Sequence, residues 1–313
     1  MSAAQAESPA GVRRLVRTRG FWAASGRRLA GQPVTMSALL LLVALFVAGA
    51  FAQRLAPGGW NDIHLADAWK NNEPGLHHGW LRLFGTDHIG RSVLERTIWG
   101  LHYSETAALF GALLAGAIGV MLGSLAGLYG GVLDAVLMRF ADFATTFPVI
   151  VTMIAAFTYL EPMTVRKATL VFALYLWAFV ARVVRARIKT LSVEEFVEAA
   201  RALGASELRI LVRHLLPNAA SAVVVATTAL VGQIMLVEAT AEFFGFGVNS
   251  LVRPTLGNLI ADSTAGGIGR FNVLGLGWWV WATPAVVLVL VLVCVNLVGD
   301  GLATALDPRA ARR

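Results

Sequence analysis

The sequence predicts an all-α polytopic membrane protein with about six transmembrane helices. Three observations carry that prediction. The 313 residues are 57% hydrophobic and only 14% charged, too little charge to cover a soluble chain of this length. Apolar runs close to the ~20 residues that cross a bilayer recur along the chain. Clusters of arginine fall between those runs in positions that fit a single orientation.

Spans are expected near 36–55, 104–128, 143–160, 167–185, 219–241 and 277–299. Residues 1–35 carry Arg13, Arg14, Arg17, Arg19, Arg27 and Arg28 against one acid, Glu7, so this basic arm is expected in the cytoplasm. The arm is too long for the start of an ordinary signal peptide, and further spans follow. The run 36–55 therefore reads as an uncleaved first anchor. Arg182, Arg185, Arg187 and Lys189 close the fourth run, and Arg309, Arg312 and Arg313 follow the sixth. All three clusters agree with both termini in the cytoplasm, including a tail of 300–313. The net charge of +7 is then an orientation signal, with no nucleic-acid partner called for. Two larger connections, about 56–103 and 242–276, are expected outside. Cys294 is the single cysteine and sits in an apolar run, which excludes a disulfide framework within the chain.

In the second span Gly119, Gly123 and Gly127 repeat every four residues and share a helix face. Such a stripe lets another helix approach closely, either within this chain or from a second subunit. Gly130 and Gly131 then mark a turn. Asp134, Arg139 and Asp142 follow, with Arg139 and Asp142 spaced to pair on one helix face. This pattern reads as an interfacial helix that bends into the membrane near Pro148, not as a proton relay.

The segment Ser192–Pro217, within a transmembrane core of 104–299, is expected to face the cytosol. Ser192 and Glu195 form a capping-box pattern. Val193, Phe196, Val197, Ala200 and Leu203 then fall on one side of a helix that Gly204 ends. Ser206 caps a second helix with the apolar stripe Leu208, Leu211, Val212 and Leu215, and Pro217 stops it. Two short amphipathic helices with a glycine hinge result. Amphipathicity alone leaves open whether they lie on the bilayer, pack under their own bundle or dock a partner.

No GxxxxGK[ST] phosphate loop occurs; the lysines Lys70, Lys167 and Lys189 do not follow glycine. The chain thus shows no ATP site of its own, and it has no HExxH or cysteine-rich metal pattern. His64, His77, His78, His88 and His102 share the first outer loop without the one-face spacing of a strong metal site, and read as a solvated loop. No convergent catalytic groups mark a membrane enzyme, and no internal repeat marks a self-sufficient channel or secondary transporter.

The run Glu198-Ala199-Ala200, Gly204, His214-Leu215-Leu216-Pro217-Asn218 resembles the EAA loop of binding-protein-dependent ABC importer permeases. FGTDHIGRSVLERTIWG (84–100), GLYGGVLDAVLMRFADFATTFP (127–148), LWAFVARVVR (176–185), FFGFGVNSLVRPTLGN (243–258) and NLVGDGLATALDPR (296–309) resemble further stretches of the dipeptide/oligopeptide permeases, C-type subunit. The likeness extends over most of the chain from about residue 84. It departs at Ser92 and Glu95, where the family usually has Asp and Ser, at Leu256, where Trp is common, and at Ala303-Thr304, in place of Arg-Asp.

The resemblance implies a type I ABC importer permease fold in a bacterial inner membrane and a non-catalytic translocation subunit. It implies partners: a homologous permease subunit, two ATPase subunits holding ATP and Mg, and an external solute-binding protein. It implies that Glu198, Ala199, Ala200, Arg201, Gly204, Leu208, Leu211, His214 and Pro217 belong to the coupling segment that meets an ATPase. Glu198 is expected to contact the ATPase or orient the coupling helix, and Arg201 to pair across the interface or stay solvated. Gly85, Thr86, Asp87, Gly90 and Arg91 are expected to shape the outer loop. The implied cargo is di- or oligopeptide, with nickel or another small solute as the alternative.

Overall fold

The structure is a computed structural model that describes residues 18–64, 74–75, 80–87, 89–249, 252–264 and 277–306. Arg13, Arg14, Arg17, His77, His78, His88, Arg309, Arg312 and Arg313 lie outside the described residues.

Helix α1 (Thr18–Ala30) places Arg27 and Arg28 in its last turn, where cations complement the helix dipole. Helix α2 (Pro33–Ala50) starts on a proline, whose fixed φ suits a first turn. A single turn, α3 (Ala52–Leu55), follows. Helix α4 (Val93–Tyr129) is longer than the expected span, because Ser92 starts it well before residue 104: the Ser92 hydroxyl accepts from the Glu95 N–H at 3.2 Å. Its 37 residues make a rod of ~55 Å, well beyond ~30 Å of hydrocarbon.

Gly130, at φ +65°, ends α4 and leads into α5 (Gly131–Thr146), which is separated from α6 (Val149–Tyr159) by an 80° bend. The expected span 143–160 is thus the second half of a bent pair, and the bend falls at Pro148 as the sequence suggested. Proline has no N–H to continue the ladder and holds Phe147 extended, at φ −84° and ψ 141°. Helix α7 (Val165–Ser192) leads to the short α8 (Glu195–Ala202). Then α9 (Glu207–Ile210), a π-turn (Leu211–Leu215) and α10 (Leu216–Phe243) run as one rod. The outer helix α11 (Leu256–Thr264) and the last helix, α12 (Trp278–Ala305), complete the fold. Among the described residues, five helices are long and apolar enough to cross a membrane, or six with the bent pair.

The core lies where α4, α7 and α10 meet, around Phe172, Val180, Ile188, Leu230, Ile234 and Met235. The glycine stripe is what lets α4 approach α7. A Cβ on Gly119 would strike Val180 and the Trp177 carbonyl, one on Gly123 the Ala181 backbone, and one on Gly127 the Arg185 carbonyl and Ile188. The stripe is thus packed within this chain. Helix α2 attaches at the periphery, where Ala38 meets Cys294 and Val298 of α12 and Thr35 lies against Gly301.

Candidate functional site

The connector from α7 to α10 is a stiff platform. Its entry differs from the expected capping box. Ser192 belongs to the last turn of α7 and donates to the Lys189 carbonyl at 2.9 Å, while Glu194 occupies the N-cap of α8 without a side-chain cap bond. The strong hydrogen-bond ladder of α7 simply runs past the residue that could have stopped it. The exit of α8 follows expectation. Gly204 stands at φ +79°, its N–H reaching the Arg201 carbonyl at 2.9 Å, and the Ala205 N–H reaches the Ala200 carbonyl at 3.1 Å. This is the glycine-closed helix end. Ser206 then accepts from the Arg209 N–H at 3.4 Å, as expected of a cap.

Pro217 does not stop the second helix. The π-turn just before it widens the ladder, and Pro217 sits in the first turn of α10, where a missing N–H is tolerated. The Asn218 amide donates to the His214 carbonyl at 2.6 Å, so that carbonyl keeps a partner. The apolar faces also divide differently from the expected stripes. Val197, Ile210, Leu211 and Leu215 are buried, whereas Val193, Leu203, Leu208 and Val212 are 75%, 88%, 63% and 57% exposed. The short helices bury one edge each, so part of each expected stripe is left facing outward. Glu198, Ala199 and Arg201 are exposed, and Ala200 and His214 are half-buried. Arg201 pairs within the connector: its Nε and Nη2 donate to the Glu207 carboxylate at 2.8 and 3.2 Å, bracing α8 against α9 across Gly204.

Behind the platform, α5 is tied to α7 by charge. Asp134 accepts from Arg185 and Lys189, and Asp142 pairs with Arg182 at 3.1 Å rather than with Arg139, which is exposed. The expected local pair loses because α7 brings three cations against this face of α5.

The outer loop motif folds around a buried carboxylate. Asp87 Oδ1 accepts from the backbone N–H groups of Ile89 and Arg91, at 3.1 and 3.0 Å. Asp87 Oδ2 accepts from Arg91 Nε at 2.7 Å and Arg96 Nη1 at 2.8 Å. Burial pushes the Asp87 carboxyl up, but Arg96 and Arg91 outweigh it and hold it below the ordinary range. Gly85 and Gly90 take φ +75° and +80°, and a Cβ on Gly90 would collide with the His64 carbonyl. Trp279 Nε1 donates to the Thr86 carbonyl at 3.2 Å, pinning the loop to α12. The motif residues thus hold the loop together and tie it to the start of α4 and to α12.

Sequence reasoning missed the buried carboxyls of the helices. Glu238 and Glu242, one turn apart on α10, are 2% and 3% exposed; Glu242 meets the start of α11, and Glu238 lies against Ser104 of α4. The Thr255 hydroxyl donates to Glu242, and the Leu256 N–H donates to Ser104 Oγ at 3.1 Å. Their i,i+4 spacing in an apolar helix was the available signal. Among the described residues, no group of three or more His, Cys, Asp or Glu side chains could hold a metal ion.

Residues 119–312 match the family profile described as the inner membrane component of binding-protein-dependent transport systems. The chain belongs to that family. Within it, this permease is 34% identical over 294 residues to the oligopeptide transport system permease protein OppC of Mycobacterium bovis, covering 92% of this chain and 95% of the relative. It is 33% identical over 289 residues to the glutathione transport system permease protein GsiD of Escherichia coli, covering 92% and 89%. A solved inward-facing form of the MetNI methionine ABC transporter aligns with TM-score 0.53 at 20% identity, covering 68% of this chain and 96% of that one. That likeness supports the fold. The permease is a multi-pass inner-membrane protein of the peptide-importer type.

Proposed function

We propose that this permease imports di- or oligopeptides by alternating access, driven by separate ATPase subunits that bear on α8, Gly204 and α9. The observation that carries the proposal is an outward apolar edge, Val193, Leu203, Leu208 and Val212, on a connector whose other edge is locked in the core. Its exposed acids Glu194, Glu195 and Glu198 cluster on α8, ahead of the exposed Arg209 and Arg213, so the α8 end is disfavoured on anionic lipid, which attracts basic faces. A protein groove that covers the apolar edge and receives the acids fits better. The Arg201–Glu207 brace and the helical continuation into α10 make the connector a lever, since motion applied at Leu203 is passed to a membrane helix instead of being absorbed. Arg201 accordingly serves rigidity within the chain.

A homologous permease subunit completes the pathway, ATP and Mg stay on the ATPases, and an external binding protein delivers cargo at the outer loops. The chain itself performs no chemistry. Both termini lie in the cytoplasm in this arrangement, on the side of the connector. The names of the relatives, oligopeptide and glutathione transport permeases, favour peptide over nickel as cargo.

The test is disulfide trapping. A cysteine at Leu203 or Leu208 should cross-link to a cysteine in the groove of the co-expressed ATPase, and ATP should change the yield. Peptide uptake by liposomes holding this chain without ATPases would overturn the proposal. So would a connector that labels only with lipid probes throughout turnover.

A further inference from the structure

Helices α2 and α4 touch at a glycine. Gly49 is buried, and a Cβ there would strike the Glu105 carboxyl. His102 Nδ1 lies 3.0 Å from the Gly49 carbonyl oxygen. Glu105, almost one turn further along α4, is 5% exposed, and its Oε2 has no hydrogen-bond partner. A carboxyl buried that way is unfavourable unless something donates to it.

Both Glu105 and His102 line a cavity of about 540 Å³ whose remaining walls are almost wholly apolar: Leu42 and Phe46 of α2, Phe110 of α4, Val231 of α10 and Val295 of α12. That volume falls within the ~300–1,000 Å³ typical of small-molecule sites. Its mouth carries exposed apolar side chains, Val43 at 52%, Val47 at 50% and Phe110 at 58%. An apolar rim of this kind suits contact with acyl chains.

Depth selects the ligand. Helix α2 has 18 residues, ~27 Å of rise, so its C-terminal end near Gly49 lies at the edge of ~30 Å of hydrocarbon. Glu105 and His102 contact that end and share its level, while Leu42 lies two turns deeper. The cavity therefore runs from the headgroup level, where it is acidic, into the hydrocarbon, where it is apolar. We propose that it binds a phospholipid with an ammonium headgroup, the amine donating to Glu105 and an acyl chain lying along Leu42, Phe46, Val231 and Val295. Phosphatidylethanolamine has this chemistry. Bound there, the lipid fastens the otherwise lightly packed α2 to the core of the bundle.

The test places the purified full-length chain in nanodiscs of equal phosphatidylethanolamine and phosphatidylglycerol with identical acyl chains. Retained lipid is then read by native mass spectrometry after partial delipidation. Phosphatidylethanolamine should be enriched about tenfold, the value of one charge-assisted hydrogen bond, and Glu105→Gln should remove the enrichment. A phosphatidylethanolamine with a photoreactive acyl chain should label the α2 segment 42–47 in the unmodified chain, which decides the matter even where Glu105→Gln fails to fold. Equal retention of the two lipids, enrichment unchanged in Glu105→Gln, labelling elsewhere, or a peptide recovered from the cavity would each overturn the proposal. None of these readouts uses transport, so they stand apart from the fate of the coupling proposal.

Discussion

Arg185 of α7 holds Asp134 of α5 with two donors, the Nη2 contact being 2.7 Å, and Lys189 one turn further on reaches the same carboxylate at 2.8 Å. The clamp fixes the amphipathic α5 beside the helix that leads into the connector. Asp134→Ala would leave two cations facing a half-open site. Their side chains are 31% and 46% exposed, so water offsets much of the loss, and about 1–2 kcal/mol is expected. Thermal unfolding in detergent should show a drop for Asp134→Ala and a smaller one for Lys189→Ala.

Two glycine substitutions should act in opposite directions. Gly123→Ala puts a methyl group into the Ala181 backbone, which cannot swing aside, and should destabilise by about 1–3 kcal/mol. Gly26→Ala in α1 meets nothing within 4 Å and should be neutral or stabilising by up to ~1 kcal/mol. Thermal unfolding of the two variants side by side checks both signs.

Gly204→Val separates space from backbone strain. A Cβ at Gly204 meets nothing within 4 Å, but φ is +79°. The left-handed conformation costs a side chain ~1–2 kcal/mol, more when it is β-branched. The spans should still insert, by protease protection, while peptide-stimulated ATPase activity of the assembled transporter falls. Gly204→Asn, which tolerates this conformation, should recover most of it. Full activity in the valine variant would count against the hinge.

The outer loop should weaken in acid. Because the Asp87 pKa is lower folded than unfolded, its contribution is complete above the unfolded value near 3.8 and disappears as pH falls through the folded value. Limited proteolysis of residues 80–92 should therefore accelerate only in strong acid. Asp87→Asn should make the loop labile at neutral pH, because Arg91 and Arg96 remain buried with their shared carboxylate gone, a loss of about 3–5 kcal/mol.

Thr255→Val should loosen α11. It removes the hydroxyl that donates to Glu242 and leaves a buried carboxyl oxygen without that donor, at about 1–3 kcal/mol. Hydrogen exchange of 256–264 should rise while that of α7 stays fixed.

Much of this was written in the local sequence. The apolar runs predicted the spanning helices, because a backbone in hydrocarbon must bond to itself. Gly204, Ser206 and Pro148 declared a helix end, a helix start and a bend through their own backbone chemistry. The EAA-like spacing pointed to the family. Helix limits were less legible. Ser192 could cap a helix but lies inside one, and Pro217 could end a helix but is carried through by a π-turn.

What only the tertiary structure decided is who meets whom. The glycine stripe could have served a second subunit, and it seats α7 instead. Arg139 stood ready for Asp142, yet α7 delivers Arg182. What covers Glu105, Glu238 and Glu242 was not legible, because helical periodicity specifies a face and not what the face is set against. Sequence thus determined which segments are helical and several of their turns, since those depend on neighbours within about four residues. The pairing of charges, the covering of carboxyls and the outward edge at Leu203 depend on residues distant in the chain that packing brings to within a few ångströms.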